Sequence, residues 1–533
     1  MFWADELAAR VSGPQVVNDS KTPSGTVHVG SLRGPVLLDV IVRALRDRGI
    51  PTELRYGVDD MDPMDAQALL TPDAVERAMG VPLSRVPDPG EDGHASYARH
   101  FAGLFVATFD GLGIHPDVYY WMSEEYGSGR MDPFIRSALD GATVIREIYR
   151  RVSHVERPPG WLPVHVICPE CGRIGTTLAT DWDGETVAFA CRADLVDWAT
   201  GCGATGRLAP FSGSAKLPWN VDWAAKWSLF RVTIEPCGKD LATAGGSRDR
   251  ADAIAREVFQ RDPPLRVDYE FLNLGGRKMS TSRGYGAAAH EVAEVLPPEE
   301  LRLLFLRPRP NQAIEFDPVG TDAIPRLFDE ADRLAAATAG RAVRGELPAD
   351  HERLFAMSLV ERPDDLLAEA GAFRQAFAHL AFLLQVPGID VLARVEAEKG
   401  SPLTPREREL LGQRIASARA WLESYAPEAA RVAVQERLPD AAASLDDAQR
   451  SVLVGLAEAL EDQQPWTGDA LQAAVFEAAR IRGVPAGRTF AALYTAFLDR
   501  TNGPRAGWLL ASLDPAFVRE RLRAAAGAGT LST

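Results

Sequence analysis

Residues 16–49 combine a short apolar strand, a glycine-containing turn and an amphipathic helix. Val16 and Val17 begin the strand, Gly25 and Gly30 lie in the turn, and apolar residues recur at helical spacing over residues 32–45. Such a turn directs backbone N–H groups and the positive end of the helix toward an anion, and its glycines let the anion approach closely. The segment therefore predicts an anion site beside the first strand of an α/β domain.

The first half of the chain alternates short apolar segments with longer amphipathic ones. The pattern predicts strands over residues 15–18, 52–58, 118–121 and 267–274, and helices over residues 32–48, 95–111, 132–151 and 248–259. This alternation is typical of a parallel sheet with helices on both faces, whose ligands gather beyond the carboxyl ends of the strands. Beyond residue 291, Ala, Leu, Glu and Arg recur at helical spacing, so we expect that part to be mostly helical.

Three carboxylates follow the second predicted strand. Asp59, Asp60 and Asp62 are expected at the carboxyl edge of the sheet. They are available there to a substrate ammonium or to a structural network, and a solvated acidic loop is the alternative.

Four of the five cysteines form a pattern typical of a metal site. The four are Cys168, Cys171, Cys191 and Cys202. A C-x2-C pair followed by two further cysteines, with glycines around the last, predicts a closed tetrahedral zinc site of structural function. Buried thiols without a metal are the alternative. His165 is another candidate ligand, although its apolar neighbours favour a place in the core, and Cys237 is expected to be a packed residue outside the group.

The composition indicates a globular protein of several domains, with 533 residues, 46% of them hydrophobic and 25% charged. No run of about 20 apolar residues and no secretory pattern is present, so we expect a cytoplasmic protein without a membrane partner. The net charge of −16 argues only against indiscriminate coating of long nucleic acid, because a local positive surface decides nucleic-acid binding. Arginine supplies most of the positive charge. The few lysines therefore indicate sites that need a compact point charge, and they lie at positions 21, 216, 226, 239, 278 and 399.

A second phrase, Lys278-Met279-Ser280-Thr281-Ser282, follows two glycines in the middle of the chain. Its ammonium and small hydroxyls predict a cationic loop that closes over a triphosphate and stabilises the charge that develops on pyrophosphate. A basic surface turn is the alternative.

In this order, His28-Val29-Gly30-Ser31 and the Lys278 phrase resemble the HIGH-type and KMSKS-type signatures of class I aminoacyl-tRNA synthetases. Further phrases make the chain similar, over nearly its whole length, to the class I lysyl-tRNA synthetases. They include Val221-Asp222-Trp223, Gly238-Lys239-Asp240 and Phe316-Asp317-Pro318. The resemblance implies an α/β fold, with a Rossmann-type parallel-sheet catalytic domain, a zinc-binding insertion and an all-α C-terminal anticodon-binding region.

The implied domains follow the order of that family. They are a catalytic domain in two halves (1–155 and 215–290), the zinc-binding insertion (156–214), a connecting stem-contact region (291–345) and a helical anticodon-binding domain (346–533). The resemblance also implies that ATP, Mg2+ and lysine form lysyl-adenylate, which then acylates the terminal adenosine of tRNA(Lys). We expect a monomer with a structural Zn2+.

The resemblance assigns candidate residues to each substrate. For ATP they are Ser24, Gly25, His28, Gly30, Ser31, Lys278, Ser280 and Ser282, of which His28, Ser31 and Lys278 are the candidate catalytic residues. For the amino acid they are Thr22, Trp219, Asp240, Tyr269 and Glu270.

Several residues near the expected amino-acid site depart from the family pattern. Leu241 stands where His is usual, Asn220 where Arg is usual, and Ser20 and Lys21 where Gly and an apolar residue are usual. Lys21 and Leu241 would disfavour a substrate ammonium by repulsion and by lost hydrogen bonds. A paralogue that adenylates another amino acid or uses another acceptor is therefore an alternative function, and a non-catalytic tRNA-binding regulator is a second one.

Overall fold

The computed structural model describes residues 1–65, 72–90, 93–274, 277–278, 292, 295–386 and 389–527, with the backbone alone at 72, 73, 75, 277 and 278. The chain forms two compact units. The first is Met1–Asp317 with Gly340–Leu366, and the second is Pro318–Ala339 with Leu367–Thr533. No helix within these described ranges is long and apolar enough to cross a membrane. The five-part domain division stays a prediction.

The strands are β1 (Gln15–Lys21), β2 (Thr52–Val58), β3 (Val118–Trp121), β4 (His165–Val166), β5 (Thr177–Thr180), β6 (Val187–Cys191), β7 (Thr205–Leu208), β8 (Ala215–Lys216), β9 (Ile234–Gly238), β10 (Leu265–Tyr269), β11 (Leu272–Leu274), β12 (Arg277–Lys278) and β13 (Ile314–Phe316). The helices are α1 (Trp3–Ala8), α2 (Arg33–Asp47), α3 (Pro72–Ala78), α4 (Tyr97–Gly111), α5 (Met122–Gly127), α6 (Asp132–Asp140), α7 (Ala142–Ser153), α8 (Trp219–Phe230), α9 (Lys239–Ala242), α10 (Ser247–Glu257), α11 (Pro298–Leu306), α12 (Ala323–Thr338), α13 (His351–Ser358), α14 (Leu366–Gly371), α15 (Phe377–Leu383), α16 (Val391–Lys399), α17 (Pro405–Ala420), α18 (Asp447–Ala459), α19 (Gly468–Ile481), α20 (Ala486–Leu498), α21 (Ala506–Ala511) and α22 (Pro515–Gly527).

A five-stranded parallel sheet forms the centre of the first unit, in the order β10-β9-β1-β2-β3. In the register of β1 and β2, Gln15 lies opposite Thr52 and Lys21 lies opposite Val58. α2, whose side chains are almost all buried, connects these two strands and packs on the sheet. The predicted parallel sheet is therefore confirmed, and its carboxyl edge lies next to the first turn of α2.

Two predicted elements are divided in the structure. The helix expected over residues 132–151 is two helices, α6 and α7, because the chain leaves the helical conformation at Gly141. The strand expected over residues 267–274 breaks at Glu270, whose backbone N–H donates to the carbonyl of Pro310. β10 therefore stays in the central sheet, while β11 pairs with β12 and β13 in a separate small sheet.

A mainly β segment lies between α7 and α8, as expected for an insertion. Antiparallel strands β5, β6 and β7 form one sheet, and β4 pairs with β8 at the point where the chain enters and leaves the segment. The cysteine group lies in the loops around β6, which contributes Cys191.

The described part of the second unit is helical. The prediction of a mostly helical chain beyond residue 291 is therefore confirmed, with the short strand β13 of the first unit as an exception. Its apolar core is formed mainly by α15 to α22. Thr404 and Glu407 cap α17 reciprocally, and Arg414 of the same helix forms a buried ion pair of 2.5 Å with Asp332.

The centre of the sheet leaves no room for a methyl group at Gly57. A Cβ atom there would lie 2.1 Å from the ring of Tyr120, which stacks on Phe230 and donates to Asn18. Gly57→Ala should therefore lower the free energy of unfolding by about 1–3 kcal/mol, measured by denaturant unfolding. Gly111→Ala is the matched control, because a Cβ atom there meets nothing within 4 Å. Equal stabilities of the two variants would contradict this packing.

Candidate active site

A cavity of about 350 Å3 lies at the carboxyl edge of the central sheet. Its wall is built from the ends of β1, β2, β9 and β10, the turn before α2, the first two turns of α8 and the first turn of α9. This is the place where a parallel α/β sheet binds ligands. Eight of the residues predicted from the sequence lie on the wall, which are Thr22, Ser24, His28, Gly30, Ser31, Trp219, Asp240 and Tyr269.

One end of the cavity is formed by the glycine turn. A single 3-10 turn, Val29–Leu32, leads directly into α2, and Gly30 and Ser31 of this turn line the cavity. The positive end of a helix with unpaired N–H groups is a phosphate site. Gly25 is not on the wall, but its φ of +152° forms the turn that brings His28 there.

The second predicted phosphate loop is described in part. The backbone of Lys278 belongs to β12 and pairs with Asn273 of β11. The side chain of Lys278 and the residues Ser280 and Ser282 lie outside the described residues. Their contact with a triphosphate stays a prediction.

The other end of the cavity is aromatic and acidic. The ring of Trp219 lies 4.9 Å from that of Trp223, and the hydroxyl-bearing Tyr269 closes the wall at the end of β10. Glu270 is not part of this wall, and its carboxylate lies 2.6 Å from the ammonium of Lys239. This part of the wall therefore combines aromatic rings with acceptor groups.

A buried ion pair forms another part of the cavity wall. The ammonium of Lys226, on α8, lies 2.6 Å from a carboxylate oxygen of Asp59, and Ser20 donates to the other oxygen over 2.8 Å. Burial lowers the pKa of Lys226, but Asp59 and Asp222 raise it well above its ordinary value, so the pair is ionised.

A second buried pair fixes Thr22. Asp62 accepts from Lys216 over 2.5 Å and from the hydroxyl of Thr22 over 2.6 Å. Asp60 accepts from the backbone N–H and the hydroxyl of Ser123. Of the alternatives for the three carboxylates after β2, the structure supports the structural network.

Glu235 is a buried wall residue that no sequence motif indicated. Its two carboxylate oxygens each accept an indole N–H over 2.6 Å, from Trp223 and Trp227, and Asn18 donates over 3.3 Å. Burial raises its pKa. The sequence signal is weak, because the pairing of Glu235 with two tryptophans one helical turn apart becomes visible only in three dimensions.

Asp19 and Lys21, on β1, are further wall residues. Burial, reinforced by Glu235, raises the pKa of Asp19 to about 7, and burial lowers the pKa of Lys21. Lys21 was expected near the amino acid, and Leu241 also lies on the wall, but Asn220 does not and donates to the carbonyl of Ser247. The sequence signal for Asp19 was its position as a charged residue near the end of a strand that begins with apolar residues.

The four cysteines of the insertion meet in space. Their sulfur atoms all lie within 4.8 Å of one another, and the Cys168–Cys202 and Cys171–Cys191 sulfur pairs are each 3.7 Å apart. Gly201 belongs to the same loop, and a Cβ atom there would lie 2.3 Å from the carbonyl of Arg192. The group can hold a metal ion. His165 and Cys237 are not part of it, and Cys237 is buried in β9, both as expected.

Comparison with known families accounts for both ends of the chain. Residues 1–361 match the family model described as tRNA synthetases class I (K), and residues 421–526 match the model described as Anticodon binding domain. The chain belongs to the class I (K) tRNA synthetases, and it is an aminoacyl-tRNA synthetase.

Curated relatives extend over nearly the whole chain. The "Lysine--tRNA ligase" of Methanosarcina barkeri (strain Fusaro / DSM 804) is 32% identical over 98% of each chain. That of Archaeoglobus fulgidus is 33% identical over 98% of this chain and 100% of its own, and that of Pyrococcus horikoshii is 34% identical over 98% and 99%.

The Lys226–Asp59 pair should dominate the stability of the site. Lys226→Met leaves Asp59 buried without a cation, so we expect the free energy of unfolding to fall by about 3–5 kcal/mol in urea titrations. Lys239→Met is the matched control, because that side chain is 55% exposed and its pair with Glu270 should contribute less than about 1 kcal/mol. A loss for Lys226→Met no greater than that of the control would show that the pair does not hold the site.

Proposed function

We propose that the chain is a lysine-tRNA ligase, which activates lysine with ATP and transfers it to the terminal adenosine of tRNA(Lys). The observation that carries the proposal is one cavity whose wall contains both the glycine turn before α2 and aromatic and acidic side chains. An ATP and an amino acid bound side by side there would bring the amino-acid carboxylate to the α-phosphorus. The names of the relatives support lysine as the amino acid.

The proposed reaction needs no covalent enzyme intermediate. A carboxylate oxygen of lysine forms a bond with the α-phosphorus while the bond to the pyrophosphate oxygen breaks, and the tRNA hydroxyl then displaces AMP. The protein contributes position and charge stabilisation. In the proposal, His28, Gly30 and Ser31 of the turn before α2 bind the phosphates, and Lys278, Ser280 and Ser282 stabilise the departing pyrophosphate. Mg2+ would enter on the phosphate oxygens of ATP, which it prefers to an all-protein cage.

We propose zinc as the metal of the cysteine group. A tetrahedron with Zn–S bonds of about 2.3 Å separates its sulfur atoms by about 3.8 Å, close to the two observed separations of 3.7 Å. Four cysteine ligands leave no open position, so the ion would stabilise the insertion and take no part in the reaction.

The second unit is proposed to bind the anticodon of tRNA. The match of residues 421–526 to an anticodon-binding family supports this role. We further propose a monomer that acts in the cytoplasm, where its tRNA substrate is found.

Amino-acid-dependent exchange of pyrophosphate into ATP tests the function most simply. Across the standard amino acids and β-lysine, we expect strong exchange with lysine, followed by acylation of purified tRNA(Lys). Lys278→Ala should lower kcat about 100- to 1000-fold, because it removes a cation from the developing pyrophosphate charge. Strong exchange with another amino acid alone would establish the alternative of a diverged paralogue.

Metal analysis tests the zinc proposal. The purified protein should contain one zinc ion per chain, and Cys171→Ser should lose it and unfold at a lower temperature, because a tetrahedral site with three thiolates binds zinc more weakly. Cys237→Ser is the matched control, since Cys237 is a buried cysteine outside the group. Equal zinc content in both variants would reject the site.

A further inference from the structure

Two acceptor groups of the cavity meet above Gly34 in the first turn of α2. The Cβ atom that Gly34 lacks would lie 2.9 Å from Oδ2 of Asp19 and 3.0 Å from the hydroxyl oxygen of Tyr269. Asp19 and Tyr269 both belong to the wall of the cavity. The absence of a side chain at residue 34 is therefore what lets these two groups reach the same point.

Asp19 differs from Asp59 and Glu235 because one of its carboxylate oxygens has no donor within the described part of the chain. Its Oδ1 accepts the backbone N–H of Ser20 over 2.8 Å. Among the described residues, no group donates a hydrogen bond to Oδ2, and no Lys, Arg or His nitrogen lies within salt-bridge distance of it. By contrast, Asp59 is paired with Lys226, and both oxygens of Glu235 accept indole N–H groups.

We propose that Asp19 and Tyr269, which the lack of a side chain at Gly34 lets approach one another, bind the side-chain ammonium of the substrate amino acid. The inference rests on the proposed function and names the cationic end of the amino-acid subsite. It assigns this role to Asp19 in place of Glu270, whose carboxylate is paired with Lys239.

The chemistry of the two groups suits an ammonium. Burial raises the pKa of Tyr269 well above its ordinary value, so its hydroxyl stays neutral and its oxygen can accept one hydrogen bond from the ammonium. Asp19 supplies a charged acceptor for the ammonium of the substrate. A substrate with a neutral side chain of the same length would leave this carboxylate unpaired in a buried site. Lys21 lies near Asp19 without pairing with it, and burial lowers its pKa, which reduces its competition with the substrate.

Substrate binding should depend on pH through Asp19. The titratable groups that face it are Lys21, Tyr56, Lys226, Glu235 and Tyr269. Burial and Glu235 raise its pKa to about 7 against the effect of Lys21 and Lys226. An ammonium binds the ionised carboxylate, so KM for lysine should rise as pH falls through 7 and level off above it, while KM for ATP should not follow this curve.

The test compares lysine and norleucine, a neutral analogue of similar shape, in pyrophosphate exchange. In Asp19→Asn we expect KM for lysine to rise about 10- to 150-fold and its dependence on pH near 7 to disappear, because a charged acceptor is lost. KM for ATP and inhibition by norleucine should stay within about twofold, which a general structural defect would not allow. Asp110→Asn, a change in a side chain that is 83% exposed, is the control and should match the wild type.

Gly34→Ala provides a second variant if Asp19→Asn fails to fold. Its methyl group would displace the ends of two side chains and no backbone atom, so we expect a folded protein with raised KM for lysine and unchanged KM for ATP. Unchanged KM for lysine in the folded variants, in a wild type that activates lysine, would overturn the role of Asp19 and leave the proposed function intact.

A wild type that activates only a neutral amino acid would overturn both proposals. Absence of exchange with every amino acid would reject the proposed function alone. Calorimetric binding of lysine to the wild type and to Asp19→Asn would then decide the inference, with equal affinities contradicting it.

Discussion

The buried ion pair between Lys226 and Asp59 is the interaction on which the geometry of the cavity depends. It joins α8 to the loop after β2, and Ser20 at the end of β1 donates to the same carboxylate. These three segments are distant in sequence. Because a buried charge without its partner is far costlier than an apolar residue, the pair favours the arrangement in which all three segments are in place. The neighbouring pair of Lys216 and Asp62 fixes Thr22 in the same way.

Charge is divided within the cavity according to the groups that it would bind. The turn before α2, the proposed phosphate site, offers small residues and His28 ahead of the positive end of a helix, which attracts anions. The amino-acid end carries carboxylates, of which Asp59 and Glu235 are neutralised or saturated by protein groups. Asp19 is left to an incoming cation. An acidic protein can thus handle a triphosphate, because the local arrangement of donors decides binding.

The sequence predicted the parts of the structure that depend on local pattern. The bounds of β2 and β3 and the turn before α2 follow from apolar periodicity and glycine chemistry, and the cysteines met as their spacing indicated. Elements broken by distant partners were missed. The strand predicted through Glu270 divides because its N–H bonds to Pro310, which lies far along the chain.

The site shows the same division between local and distant information. Residues in compact motifs, such as His28 and Ser31, could be assigned from the sequence and lie on the wall. Asp19 could not be assigned from the sequence, because its proposed role depends on the lack of a side chain at Gly34, which lies on another element. Tyr269, the other group beside Gly34, lies at the end of a third element, β10. The few lysines of this arginine-rich chain were a useful signal for positions near the cavity. Lys216 and Lys226, however, belong to the buried ion pairs with Asp62 and Asp59.

A crystal structure with a non-hydrolysable lysyl-adenylate analogue would directly test the proposed positions of the phosphate and the ammonium in the cavity. We expect the phosphate oxygens to lie at the turn before α2 beside His28, Gly30 and Ser31, with the lysine ammonium within hydrogen-bond distance of Asp19 and Tyr269. An analogue bound in the reverse direction, or outside the cavity at the carboxyl edge of the sheet, would contradict these positions.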